Sequence, residues 1–167
     1  DNPAEALTFA KLDLEAANAI LAESRVGVAF DFTDIATSLP NHEEQAVADC
    51  LTGDALIPVG DQPALLHVIY VSAMGGATGL TCAATDERPH ATIYISKRSY
   101  YAATLVHEFG HVLGLVMPRL GHTEALSGFD GSNVMAGENW DTDPLGRQRL
   151  TVGQAFRMNV DAGSWLN

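Results

Sequence analysis

The chain of 167 residues predicts an α+β fold, on three observations. Apolar residues recur at helical spacing in several stretches. Between them lie short runs rich in β-branched and apolar residues, bounded by turn formers, as strands are. One helical stretch, LVHEFGHVLGLV from Leu105 to Val116, carries H-E-x-x-H as His107, Glu108 and His111 in apolar surroundings. It reads as a buried helix, and buried polar groups need partners.

Residues 4–25 predict the first helix. Leu12, Ala16, Ala19, Ile20 and Glu23 follow its period, Leu14, Ala17 and Leu21 widen the stripe, and Arg25 and Gly27 suit its end. Val26 to Phe32 alternates large apolar residues and predicts a half-buried strand. Pro40 and Asn41 open a shorter helix, with Asn41 as N-cap, Glu44 at capping-box distance and Gly53 as its stop. Asp54 to Pro63 reads as a loop. Leu65 to Ser72 is dense in apolar and β-branched residues and predicts a central strand; His67 within it reads as a structural histidine. The glycine-rich 74–79 stretch is a connection, Leu80 to Ala84 a short edge strand, Thr85 to His90 a polar turn, and Ala91 to Lys97 another strand.

Ser99 caps the helix that carries His107, Glu108 and His111; it runs to about Leu113, and Gly114 and Pro118 end it. From Met117 to Arg149 no periodicity is seen, and irregular stretches of that length are usually functional. Thr151 and Gln154 are spaced as a capping box for a last helix to Leu166, whose Val152, Phe156 and Val160 would face the core. No repeat, low-complexity tract or linker interrupts the chain, so residues 1–167 read as one domain.

At 47% hydrophobic and 18% charged residues the composition is globular. A net charge of −12 argues against nucleic acid, whose phosphates it would repel. No apolar run reaches the roughly 20 residues of a membrane helix. The opening DNPAEA has no basic start and apolar run, so no signal peptide is expected within the chain. Cys50 and Cys82 are either one disulfide, in an oxidising compartment, or two buried thiols.

On a helix, residues four apart share a face. Imidazoles at 107 and 111 can therefore grip one zinc ion, and Glu108 can reach a water on it.

Extended to HEFGHVLG, the motif resembles that of the metzincin clan of zinc metallopeptidases, H-E-x-x-H-x-x-G-x-x-H/D followed by a methionine turn. His107, Glu108, His111 and Gly114 match it, and Ser132-Asn133-Val134-Met135-Ala136 is similar to the methionine turn. The ending Leu150 to Met158 resembles the last helix of bacterial members related to pappalysins. The resemblance implies a zincin fold: a twisted mixed sheet of about four to five strands, with an active-site helix and a C-terminal helix. Family members commonly add a first strand, which only Ala6 to Ala10 could supply.

The resemblance further implies a zinc-dependent endopeptidase with Zn2+ as cofactor, in which Glu108 activates a zinc-bound water. Position 117, where the family's third ligand falls, is Met117, and a thioether is a poor zinc ligand. His122 is the first candidate in its place; Glu124 or Asp130, or a two-histidine site, are the alternatives. Met135 would pack beneath the metal, and Gly137 removes the tyrosine some members add. The edge strand, with Gly79, Leu80 and Thr81, would bind an extended peptide by strand addition. Trp140 would line the wall beside the cleaved bond. Asp130, Asp141 and Asp143 fit no standard calcium loop and read as solvated surface.

The expected protein is a secreted or periplasmic monomer acting on peptides or proteins. Two other readings stand beside it: a latent or inactive zinc-binding module that keeps the fold, and a helical protein with an accidental motif.

Overall fold

The computed structural model describes residues 3–31, 47–56, 66–71, 74–85, 90–96, 102–116, 133–135 and 149–160. They form an α+β structure: α1 (Pro3–Glu23), α2 (Cys50–Leu56), β1 (Leu66–Val71), β2 (Gly79–Cys82), β3 (Ala91–Ser96), α3 (Ala102–Val112) and α4 (Val152–Val160). The chain divides into two compact units, Asp1–Asp13 with Asp31–Tyr100 and Leu14–Phe30 with Tyr101–Asn167, so the division falls inside α1. No helix among the described residues is long and apolar enough to cross a membrane.

The first unit is built on a mixed sheet in the order β1-β3-β2. β1 runs parallel to β3 (Leu66 beside Ala91, Val71 beside Ser96), and β2 runs antiparallel to it (Gly79 beside Ile95, Cys82 beside Thr92). Three strands therefore stand among the described residues where about four to five were expected. Among the described strands β3, not β1, is central. All six of its residues are buried, as a two-sided β-branched run requires, whereas five of the six in β1 are only half-buried.

The register puts Ile69, Tyr94 and Leu80 side by side. With Val47, Val71, Met74, Cys50 and Cys82 they make a hydrophobic cluster on one face. The next row, Tyr70, Ile95 and Gly79, points to the other face because strand side chains alternate. There Tyr70 stacks edge-on against Phe9 at 5.9 Å and donates a 2.5 Å hydrogen bond to Asp13. Burial pushes the Asp13 carboxyl above the ordinary carboxylate range, and the Tyr70 hydrogen bond opposes that push. The Tyr70 hydroxyl is pushed well up by burial, then by the neighbouring Asp13 charge.

α2 begins where the sequence places a helix end. Asp49 is its N-cap: the carboxylate accepts from the backbone N–H of Thr52 and from its hydroxyl, both at 2.8 Å. Those bonds hold the carboxyl below its ordinary range. Gly53 is inside the helix rather than its stop. A Cβ there would lie 2.5 Å from Cζ of Tyr94, so this glycine lets the helix ride on the buried ring. The expected cap, Asn41, and its partner Glu44 lie outside the described residues. Cys50, the first residue of α2, is disulfide-bonded to Cys82, the last of β2, with Cα atoms 5.6 Å apart. Closing a loop of this length removes roughly 3–4 kcal/mol of unfolded-chain entropy.

In the second unit α1 ends in a Schellman motif. Val26 N–H bonds to Leu21 O, Arg25 N–H bonds to Ala22 O, and Arg25 takes the left-handed φ of 55°. The α1 residues buried along its length are Ala10, Asp13, Leu14, Ala17 and Leu21, while Leu12 is 58% exposed. The secondary stripe is thus the core face.

The strand expected over 26–32 is not formed in its described part. The Asn18 carboxamide takes the place of a neighbouring strand: it donates to Phe30 O at 3.0 Å and accepts from Phe30 N–H at 2.7 Å. Asn159 likewise donates to Val26 O at 2.8 Å. Buried backbone groups need partners, and here side chains supply them.

α4 starts with the expected capping box. Gln154 N–H bonds to Thr151 Oγ1 at 3.1 Å, and Thr151 N–H bonds to Gln154 Oε1 at 2.9 Å. Its inward face is Gln154, Ala155 and Met158, however. Val152, Phe156 and Val160, expected in the core, are 83%, 67% and 49% exposed. The helix is rotated because Gln154 turns inward to hydrogen-bond partners described below. The part of the predicted helix beyond Val160 lies outside the described residues.

Candidate metal centre

α3 is a buried helix whose apolar residues, among them Leu105, Val106, Phe109 and Val112, anchor it in the second unit. Phe109 packs on Phe30 with ring centroids 4.5 Å apart. The helical spacing brings the two histidines together: the His107 and His111 rings meet edge to face at 4.7 Å, with their Nε2 atoms 3.1 Å apart. Glu108, between them in sequence, is buried.

Each ring is fixed from behind by a backbone carbonyl. His107 Nδ1 lies 3.0 Å from Val134 O, and His111 Nδ1 lies 2.6 Å from Leu115 O. A carbonyl only accepts, so each contact is a hydrogen bond when Nδ1 carries the proton, and a neutral ring in that form has its lone pair on Nε2. Two Nε2 atoms 3.1 Å apart can share a proton, one ring donating to the other, or hold one cation together. Two nitrogens bonded to one tetrahedral zinc at about 2.0–2.1 Å would be roughly 3.3 Å apart, so the pair fits that ion.

The carbonyl behind His111 is placed by the end of the helix. Gly114 takes φ 86°, Leu115 N–H bonds back to Gly110 O at 2.9 Å, and Gly114 N–H bonds to His111 O at 3.1 Å. This is a Schellman motif with glycine in its left-handed position, and it folds Leu115 back over the last turn. The glycine three residues after His111 thus sets the orientation of that histidine.

The carbonyl behind His107 is placed by the turn Asn133–Val134–Met135. Asn133 Oδ1 accepts from Met135 N–H at 2.9 Å, and Val134 N–H bonds to Arg149 O at 2.9 Å. Met135 is fully buried under α3: a Cβ on Gly110 would lie 2.6 Å from its sulfur. Behind the turn, Asn133 and Gln154 form a reciprocal amide pair, with bonds of 2.8 and 3.2 Å.

The site residues expected from sequence are therefore distributed as follows. His107, Glu108, His111 and Met135 come together around α3. Gly79, Leu80 and Thr81 lie on β2, which is an end strand of the described sheet. His122, the alternatives Glu124 and Asp130, Met117 and Trp140 lie outside the described residues. Among the described residues no group of three or more His, Cys, Asp or Glu is placed to hold a metal. His67, read as structural, is on β1 with its ring 4.6 Å from that of His90.

Sequence reasoning missed the carbonyls of Val134 and Leu115 and the Asn133–Gln154 pair. Gly114 was the signal for the first kind of feature, since a left-handed turn must send the next carbonyl back. Nothing in the spacing linked Asn133 to Gln154.

Comparison of the chain with known proteins finds no matching family model, no matching curated protein and no matching solved structure. The likeness to metzincins rests on the motif residues.

Proposed function

We propose that the protein is a zinc-dependent endopeptidase of the metzincin type, with His107 and His111 holding the metal and Glu108 as general base. The observation that carries this is the pair of facing Nε2 atoms, 3.1 Å apart, each with its Nδ1 committed to a carbonyl. His122 is the third ligand in this reading. When bound, zinc supplies Lewis acidity that polarises a scissile carbonyl and acidifies water toward neutral pH. The histidines orient it through rings that cannot rotate without losing the Val134 and Leu115 bonds.

Glu108 takes a proton from the attacking water as it adds to the carbonyl carbon, and passes it to the leaving amine as the C–N bond breaks. Its place on α3, one residue after His107 and three before His111, supports that role, and a purely structural ion would need no carboxylate there. An extended peptide would pair with β2 through Gly79, Leu80 and Thr81, the end position of that strand being what strand addition uses. The Cys50–Cys82 disulfide supports a secreted or periplasmic setting.

The second reading, a zinc-binding module without turnover, is favoured by Met117 at the family's ligand position. Peptide cleavage by the wild type, lost in Glu108→Ala while zinc is retained, supports the enzyme. Retained zinc with no cleavage by the wild type supports the module. Cleavage by Glu108→Ala at the wild-type rate would contradict the base.

A further inference from the structure

We propose that Gln154 is a positioning residue for the His107 imidazole, acting through Asn133 and the Val134 carbonyl. The inference rests on the metal-site reading of His107 and concerns a residue that touches neither metal nor substrate.

The chain of contacts is continuous. Gln154 Oε1 accepts from Asn133 Nδ2 at 2.8 Å, and Gln154 Nε2 donates to Asn133 Oδ1 at 3.2 Å. Both amides have a defined orientation, because a backbone N–H marks each oxygen: Thr151 N–H on Gln154 Oε1 and Met135 N–H on Asn133 Oδ1. An N–H only donates, so neither amide can be turned over without placing an NH2 against it. Asn133 and Gln154 are 3% and 1% exposed, so water cannot replace the lost bonds cheaply. Held in this way, Asn133 closes the turn whose next residue, Val134, presents its carbonyl to His107 Nδ1. Gln154 has a further role at the start of α4, where its Oε1 and N–H complete the capping box with Thr151. One side chain therefore joins the end of a helix to the orientation of a metal-facing ring. It also accounts for the outward rotation of Val152, Phe156 and Val160: the helix must turn Gln154 inward to reach Asn133.

The capping and positioning roles are separable, since Thr151→Ala removes the threonine hydroxyl and leaves both amide bonds to Asn133. The test compares wild type, Gln154→Met and Thr151→Ala by two readouts. One is zinc affinity, measured by competition with a chromophoric chelator. The other is the proton position on the neutral His107 ring of metal-free protein, read from long-range 1H–15N correlations.

Gln154→Met is expected to weaken zinc binding about tenfold, the usual cost of losing an outer-shell partner, and to admit the Nε2–H form of His107. Thr151→Ala is expected to lower stability and to change neither readout. A folded Gln154→Met with wild-type His107 tautomer and zinc affinity overturns the proposal. So does a Thr151→Ala that shifts both readouts as far as Gln154→Met does. Should Gln154→Met not fold, Gln154→Glu, read at a pH where its carboxylate is ionised, keeps the capping acceptor and sets an oxygen against Asn133 Oδ1 in place of the donated bond; it is expected to shift both readouts in the same direction. If the wild type binds no zinc through His107 and His111, the metal-site reading fails by itself, and the tautomer comparison still decides whether Gln154 positions the ring.

Discussion

The carbonyl oxygen of Leu115 lies 2.6 Å from Nδ1 of His111, and the left-handed turn at Gly114 puts it there. Helix termination and the orientation of the His111 ring are one structural event at this point of the chain. Gly114→Ala is therefore expected to do two things. A side chain at φ 86° costs roughly 1–2 kcal/mol, seen as a lower urea midpoint. A displaced Leu115 carbonyl loosens the imidazole and weakens zinc binding about tenfold, seen by chelator competition. A loss of stability with wild-type zinc affinity would show that the carbonyl does not orient the ligand.

Gly53 offers a test in the other unit. Its neighbour is the ring of Tyr94, which is fully buried and cannot withdraw into solvent. Gly53→Ala is expected to destabilise by about 1–3 kcal/mol through overpacking, although alanine is the better helix former. Gly53→Ala combined with Tyr94→Leu should recover part of that loss in denaturant titrations. Stabilisation by Gly53→Ala alone would mean that the ring yields freely.

Asp13 gives a pH dependence of definite sign. Burial, opposed by the Tyr70 hydrogen bond, raises its folded-state pKa above the value of an unfolded aspartate, near 4. The folded state thus keeps a proton that the unfolded state gives up. The contribution is fully present below the unfolded pKa and is lost as pH rises through the folded one. Asp13→Asn cannot ionise and still offers an oxygen to Tyr70. Its stability relative to wild type is expected to improve as pH rises from about 4 into the neutral range. An unchanged difference across that range in urea titrations would refute the assignment.

The disulfide joins the start of α2 to the end of β2 across 32 residues. Cys50→Ser with Cys82→Ser, or reduction of the wild type, is expected to cost roughly 3–4 kcal/mol. Parallel unfolding with and without reductant measures this directly. Equal stability under both conditions would show that the bond does not constrain the unfolded chain.

What was legible in the sequence follows from how local each signal is. The histidine pair, the Gly114 stop and the Thr151–Gln154 box are set within a few residues, and each was readable; β2 is at the end of the sheet among the described strands. Alternation at Val26, Val28 and Phe30 looked like a strand, but pairing is a long-range property, and Asn18 and Asn159 satisfy that backbone instead. Spacing of Val152, Phe156 and Val160 looked like a core face, but burying Gln154 against Asn133 decided the rotation of α4. Gly53 read as a helix stop because only the fold reveals the ring it rides on. The pairing of His107 with His111 on one helix face was legible; the carbonyls that aim the two rings are backbone atoms and carry no residue signature.

In the proposed centre His107 and His111 share one zinc ion through Nε2. An anomalous-difference map collected across the zinc absorption edge, on crystals of protein purified without added metal, tests it most directly. One strong peak is expected about 2.0–2.1 Å from both Nε2 atoms, with His122 as third protein ligand. A peak there with another third ligand would reassign His122 alone. No peak beside the two Nε2 atoms, in protein shown to be folded, would contradict a shared zinc ion.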